Sequence, residues 1–129
     1  MKKLTIIITL LISTSIFSSL SLAEWTKVSE TVKRNSMYID FERIRKEDGY
    51  VYFWLLKDLF EPNKYGSLSV LDYDKADCKL FRYKNIVQHQ KSGSMGNGTG
   101  KIFDTEDINW SYPTPNSSIE TILKVICSH

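Results

Sequence analysis

The sequence has 129 residues, with 17 basic against 15 acidic side chains, two cysteines and two histidines. That is the length of one domain, and it excludes a multidomain machine, a disulfide-dense miniprotein and a polybasic nucleic-acid binder. Apolar residues make up 42% and charged ones 25%, close to globular averages, which also excludes wholesale disorder.

Lys2 and Lys3 precede an apolar run from Leu4 to Ile12, small polar residues follow, and Ser21-Leu22-Ala23 closes the segment. A basic start, a short apolar run and a small-x-small site mark a secretory signal peptide over residues 1–23, with cleavage expected after Ala23. The run is too short and too interrupted by serine for a membrane span, which needs about 20 residues. No cysteine near the cleavage point offers a site for lipid attachment. The working domain is then residues 24–129, where 15 basic side chains meet 15 acidic ones and the net charge is zero. Export also places the thiols in an oxidising environment. Cys78 and Cys127 permit a single intramolecular pairing; free thiols, an intermolecular link or a catalytic thiol are the other outcomes, and no Cys-x-x-Cys redox motif is present. A bridge closing so long a loop contributes about 4 kcal/mol in the chain-entropy view, against about 5–15 kcal/mol for a whole domain.

In chain order, Trp25 to Glu30 alternates as an opening strand, and Met37 to Phe41 is a second, after a turn at Arg34-Asn35-Ser36. The charged stretch from Glu42 to Asp48 ends at Gly49 and reads as a connection. Tyr50 to Leu59 carries the strongest strand signal. Tyr50, Tyr52, Trp54 and Leu56 fall on one face and Val51, Phe53 and Leu55 on the other, as in a central strand or one covered on both sides. Glu61-Pro62-Asn63-Lys64 is a turn, because proline removes a ladder donor. Tyr65 to Tyr73 alternates as a fourth strand, and Asp74 to Asp77 reads as a turn. The acidic run Asp72, Asp74, Asp77 is expected to be solvated. Cys78 to Gln88 is read as a fifth strand with Cys78, Leu80 and Arg82 on one face. The glycine- and serine-rich stretch from Ser92 to Gly100 is a hairpin connection, and Lys101 to Phe103 begins a sixth strand.

The C-terminus has a different period. Ser117-Ser118-Ile119-Glu120 is a capping box, and Ile119, Ile122, Leu123 and Ile126 form an apolar stripe at helical spacing with Cys127 at its edge. So short a helix is marginal alone and must pack on the sheet. The expected fold is α+β: an antiparallel meander of about six strands with a C-terminal helix packed on one face. A Cys78–Cys127 bridge would tether that helix to the fifth strand.

No constellation of catalytic residues stands out, and the expectation is a protein that is not an enzyme and uses no cofactor or metal. The loop ending in Gly100-Lys101 fails the phosphate-loop pattern, with Met95 where glycine is needed and Ile102 where serine or threonine is needed. Lys101 likewise occupies the last glycine position of a dinucleotide fingerprint counted from Gly96. His89 lies among Gln88, Gln90 and Lys91 and reads as a solvated histidine rather than a general base; His129 is terminal. Two histidines without an acidic cluster at ligand spacing make no zinc site, and the acidic run lacks the glycine and closing glutamate of a calcium loop. What remains is recognition. Three Trp, seven Tyr and six Phe are read mostly as core residues and sheet pairs, and some of them, beside Arg and Lys, suit a binding face. Lys79, Arg82, Lys84 and Lys91 form either a stripe for a polyanion or an ordinary solvated strand. The candidate binding loop is Ser92, Gly93, Ser94, Met95, Gly96, Asn97, Gly98, Thr99 and Gly100, whose glycines are expected to keep it mobile.

The order Trp25, Tyr38-Ile39-Asp40, Val51, Trp54-Leu55-Leu56-Lys57-Asp58, Ser67 and Ser69, Asp77-Cys78, Gly96-Asn97-Gly98, Trp110, Pro113 and a helix ending at Cys127 resembles the surface-adhesin protein E family of Gram-negative bacteria across essentially the whole working domain. The resemblance implies an antiparallel sheet with a C-terminal helix held on it by a Cys78–Cys127 disulfide. It also implies adhesion, through binding of host extracellular-matrix and serum proteins such as vitronectin, laminin and plasminogen. The expected function is therefore a secreted or envelope-associated binding module, exported to the periplasm, the outer surface or the medium, with a protein ligand and no nucleic acid. The alternative is a periplasmic structural or regulatory domain, inhibitor-like, that binds an envelope partner.

Overall fold

Period-two alternation along most of the chain builds one antiparallel sheet in the computed structural model, which describes residues 23–106 and 109–129. The expected signal peptide, residues 1–23, lies outside the described residues apart from Ala23. The strands are β1 (Thr26–Glu30), β2 (Ser36–Ile39), β3 (Arg45–Glu47), β4 (Tyr50–Asp58), β5 (Ser69–Asp77), β6 (Arg82–Lys91) and β7 (Ile102–Asp104), followed by helix α1 (Ser118–Ser128). Their order is β1-β2-β4-β5-β6-β7, and β3 shares an edge of β4 with β2. β2 pairs with the Leu55–Asp58 end of β4, and β3 with the Tyr50–Tyr52 end. No helix among the described residues is long and apolar enough to cross a membrane.

The sheet's two faces differ. Val51, Phe53 and Leu55 of β4 share a face with Ile39, Met37 and Ala76, and there they bury against Ile122, Leu123 and Ile126 of α1. Apart from Ala76, each such side chain contributes roughly 1.5–3 kcal/mol when fully buried, so this layer supplies most of the apolar stabilisation. The helix begins as its sequence dictates: Ser117 Oγ accepts from the Glu120 N–H at 3.2 Å. The return arm differs in detail, since Glu120 Oε1 accepts from the Asn116 N–H at 3.2 Å rather than from the cap residue. Asn116 adopts φ +63°, and that bend brings its N–H within reach.

Three expectations are corrected. The segment from Glu42 to Asp48 is more than a connection: a 3-10 turn at Phe41–Arg43 leads into β3. Buried Asp40 organises it, accepting from the Glu42 N–H at 3.1 Å and from Arg43 Nε at 2.6 Å. The strand expected over Tyr65–Tyr73 instead runs from Ser69 through Asp77, so the expected turn at Asp74–Asp77 is strand. The hairpin bends at Cys78–Phe81, with Phe81 at φ +51°, which puts Cys78 in the turn rather than on the fifth strand. Cys78 and Cys127 are bridged, their Cα atoms 5.5 Å apart, and the helix is tied to the β5–β6 turn.

Candidate functional site

The face opposite the helix is where polar chemistry is displayed. Register places Arg45 of β3, Tyr52 of β4, Lys75 of β5 and Lys84 of β6 in one row across four strands, with neighbours about 4.8 Å apart along the hydrogen-bond direction. The adjoining row holds Tyr50 and Arg82, and on the other side stand Trp54, Tyr73 and Val87. Ser111 pairs antiparallel with Tyr83, so Trp110 and Tyr112 turn to the same face as Arg82 and Lys84.

The rings and cations interleave. Trp54 and Tyr73 have centroids 4.9 Å apart, Tyr52 and Tyr73 6.1 Å, and Tyr50 and Trp110 5.7 Å. Arg45 lies 4.6 Å from the Tyr52 centroid, Lys75 4.1 Å from Tyr50, and Arg82 4.5 Å from Trp110. Arg43 sits between Trp25 and Trp54, at 5.7 and 5.6 Å. Contacts of this kind add about 0.5–1 kcal/mol each at exposed sites, and they hold the cations in defined places over a half-buried aromatic floor. His89 belongs to this floor rather than to a solvated strand end: it meets Trp54 edge-on at 5.7 Å.

The Ser92–Gly100 connection covers the other end of the same face. Ser69 Oγ donates to the Gly93 carbonyl at 2.6 Å and accepts from the Gly96 N–H at 2.9 Å; Asp58 Oδ1 accepts from the Met95 N–H at 2.8 Å. Gly96, at φ +79°, packs toward Leu71 and Leu56. The expected mobile loop is thus a pinned flap, because buried Ser69 and half-buried Asp58 supply partners that its own composition does not reveal. Ser92, Ser94, Asn97, Gly98, Thr99 and Gly100 remain exposed along its rim, whereas Gly93, Met95 and Gly96 face inward. A groove of about 350 Å³ separates this flap from Trp25 and Arg43.

The acidic run is not solvated. Asp72, Asp74 and Asp77 are 3%, 3% and 6% exposed, because β5 carries the first two into the sheet on the helix side. Asp72 meets Lys57 at 2.9 Å and accepts from Gln88 Nε2 at 3.0 Å; Asp74 accepts from Asn85 Nδ2 at 2.7 Å. Gln88, Gln90 and Asn63 extend this ladder by 2.8 Å hydrogen bonds. Burial, and then the neighbouring Asp72 charge, push the Asp74 carboxyl up to about 7, against the Asn85 hydrogen bond and Lys57. Burial would lower Lys57, but facing Asp72 holds it above the usual lysine value. Among the described residues no buried side-chain nitrogen or oxygen lacks a partner, so this ladder is closed on itself.

Of the residues singled out from sequence, Arg82, Lys84 and Lys91 do share the open face, while Lys79 lies in the hairpin turn. Arg43, Arg45, Lys75 and Trp110 were not anticipated. Their signal was the Tyr50/Tyr52/Trp54 alternation, which continues as Tyr73 and Lys75 once β5 is carried to Asp77.

A family model described as surface-adhesin protein E matches residues 25–128. Among solved structures, protein E of Haemophilus influenzae is similar at a TM-score of 0.59 and 16% identity, covering 85% of this chain and 88% of that one. A second crystal form gives 0.58 and 18%, with 85% and 91% covered, and a selenomethionine form 0.60 and 16%, with 86% and 91%. No curated protein sequence matches.

Proposed function

The chain belongs to the surface-adhesin protein E family, and on that premise we propose that it is an exported protein-binding module acting by recognition without chemical turnover. The observation that carries this reading is the open face itself: aromatic rings and positioned cations on a sheet braced from behind by a disulfide-tethered helix. Trp, Tyr and Arg are the side chains that dominate interface energetics, and a rigid sheet presents them with little ordering cost. The rim of the Ser92–Gly100 flap extends the same surface.

The ligand class is an extracellular-matrix or serum protein, as the family relationship suggests. Binding of the exported protein to immobilised vitronectin, laminin and plasminogen at physiological salt tests it, together with protease treatment of intact cells. Binding and cleavage on intact cells support an adhesin. A protease-shielded protein that binds none of the three overturns the adhesin reading in favour of a periplasmic domain with an envelope partner.

A further inference from the structure

Resting on that protein-binding reading, we propose that the corner of the open face formed by Lys75, Lys84, Arg82 and Trp110 docks an acidic segment of the partner protein that carries apolar side chains beside its carboxylates. Lys75 and Lys84 stand directly opposite each other on paired strands. Like charges in that position repel and destabilise a sheet. Among the described residues neither ammonium reaches a carboxylate within ion-pair distance, whereas Arg43, Arg45, Arg82 and Lys57 each have one. Instead three cations converge on one indole: Arg82 at 4.5 Å, Lys84 at 5.6 Å and Lys75 at 5.7 Å from the Trp110 centroid.

A ring quadrupole only partly offsets such a cluster. Residues 24–129 carry no net charge, so the concentration is local rather than a consequence of a basic chain. Carboxylates laid across the corner would relieve the repulsion, and lysine, a mobile point charge, tolerates varied approach. The apolar part of the partner follows from the rim. Tyr112, whose side chain reaches Arg82, and Leu80, two residues before Arg82 in the β5–β6 turn, are 65% and 53% exposed. An exposed tyrosine beside Arg82 and an exposed leucine in the adjoining turn favour a peptide over a sulfated sugar.

The test uses the oxidised protein recovered after export and a fluorescein-labelled peptide of alternating glutamate and leucine, with a heparin fragment as the competing probe. The peptide is expected to bind, more weakly as salt rises. Lys75→Glu with Lys84→Glu should weaken binding about tenfold or more. Lys33→Glu with Lys124→Glu, the same charge change at exposed positions elsewhere, should stay within about twofold of wild type. Lys75→Gln with Lys84→Gln guards against misfolding, since removing the repulsion should leave the melting temperature no lower while binding still falls. Trp110→Phe should abolish an indole fluorescence change that Trp54→Phe retains. Equal binding by the reversed variant, equal loss in the control pair, or capture of heparin without capture of peptide overturns the proposal. Run beside the matrix-protein assay, the two readings separate. Matrix binding untouched by the lysine variants sinks the docking corner alone, and peptide binding without matrix binding sinks the adhesin reading alone.

Discussion

Asp74 is a carboxyl that the fold holds partly protonated near neutrality. Its value, raised to about 7 by burial and by Asp72, lies well above that of an unfolded aspartate. The folded state therefore binds the proton more tightly, and stability falls as pH rises between about 4 and about 7, then levels off. Asp77 acts in the opposite sense and only in more acidic solution, since Arg82 and the Leu80 amide outweigh burial and hold its carboxyl low. Asp74→Asn, which can still accept from Asn85, is expected to flatten the slope between pH 4.5 and 7.5. It should be more stable than wild type at pH 7.5, as urea titrations at both pH values would read; an unchanged slope would assign the proton elsewhere. Gly100 shows a different residue-scale constraint. A Cβ there would lie 2.0 Å from the Gln90 carbonyl oxygen, so Gly100→Ala should cost more than about 1 kcal/mol and make the flap susceptible to proteolytic nicking.

Among the elements, α1 was the most legible, because everything that specifies it is local. The cap, the acidic first turn and the stripe all lie within the helix and the residue before it. Ile122 is fully buried on that stripe, whereas Lys124 reaches Glu120 at 3.3 Å on the solvent side. Ile122→Asp should cost about 3 kcal/mol or more by placing a charge between helix and sheet. Lys124→Ala removes only an exposed pair and should cost less than about 0.5 kcal/mol. Equal losses in thermal melts of the two variants would mean that the helix is not docked by this face. Ser117→Ala should remove about 1 kcal/mol through the lost cap. β5 was the least legible element, since its aspartates resemble turn residues in isolation.

For the molecule as a whole, the Cys78–Cys127 bridge joins positions 49 residues apart and links the C-terminal helix to the β5–β6 turn. Without it the helix is held by its apolar stripe and by two hydrogen bonds at its ends, Ser118 Oγ to the Glu30 carbonyl and Lys46 Nζ to the His129 carbonyl. Cys127→Ser is expected to lower stability by about 2–4 kcal/mol in denaturant titration. Amide exchange should rise first in α1, ahead of the central strands β4 and β5, because the released helix can open without unfolding the sheet. Uniform acceleration across sheet and helix would show instead that the two unfold as one unit.

Alternation along Tyr50–Asp58, the helical period after Ser117 and the presence of only two cysteines determined the sheet, the helix and the bridge between them. These are one-dimensional signals, since a strand's two faces and a helix's stripe are set by neighbours within a few residues. Burial of Asp72 and Asp74 could not be read in this way. A carboxylate inside is tolerable only with partners, and Lys57, Asn85 and Gln88 reach them through the register of three strands. The same holds for the open face. Arg45, Tyr52, Lys75, Lys84 and Trp110 are scattered over more than half of the working domain, and only cross-strand pairing, which no local period encodes, gathers them into one surface.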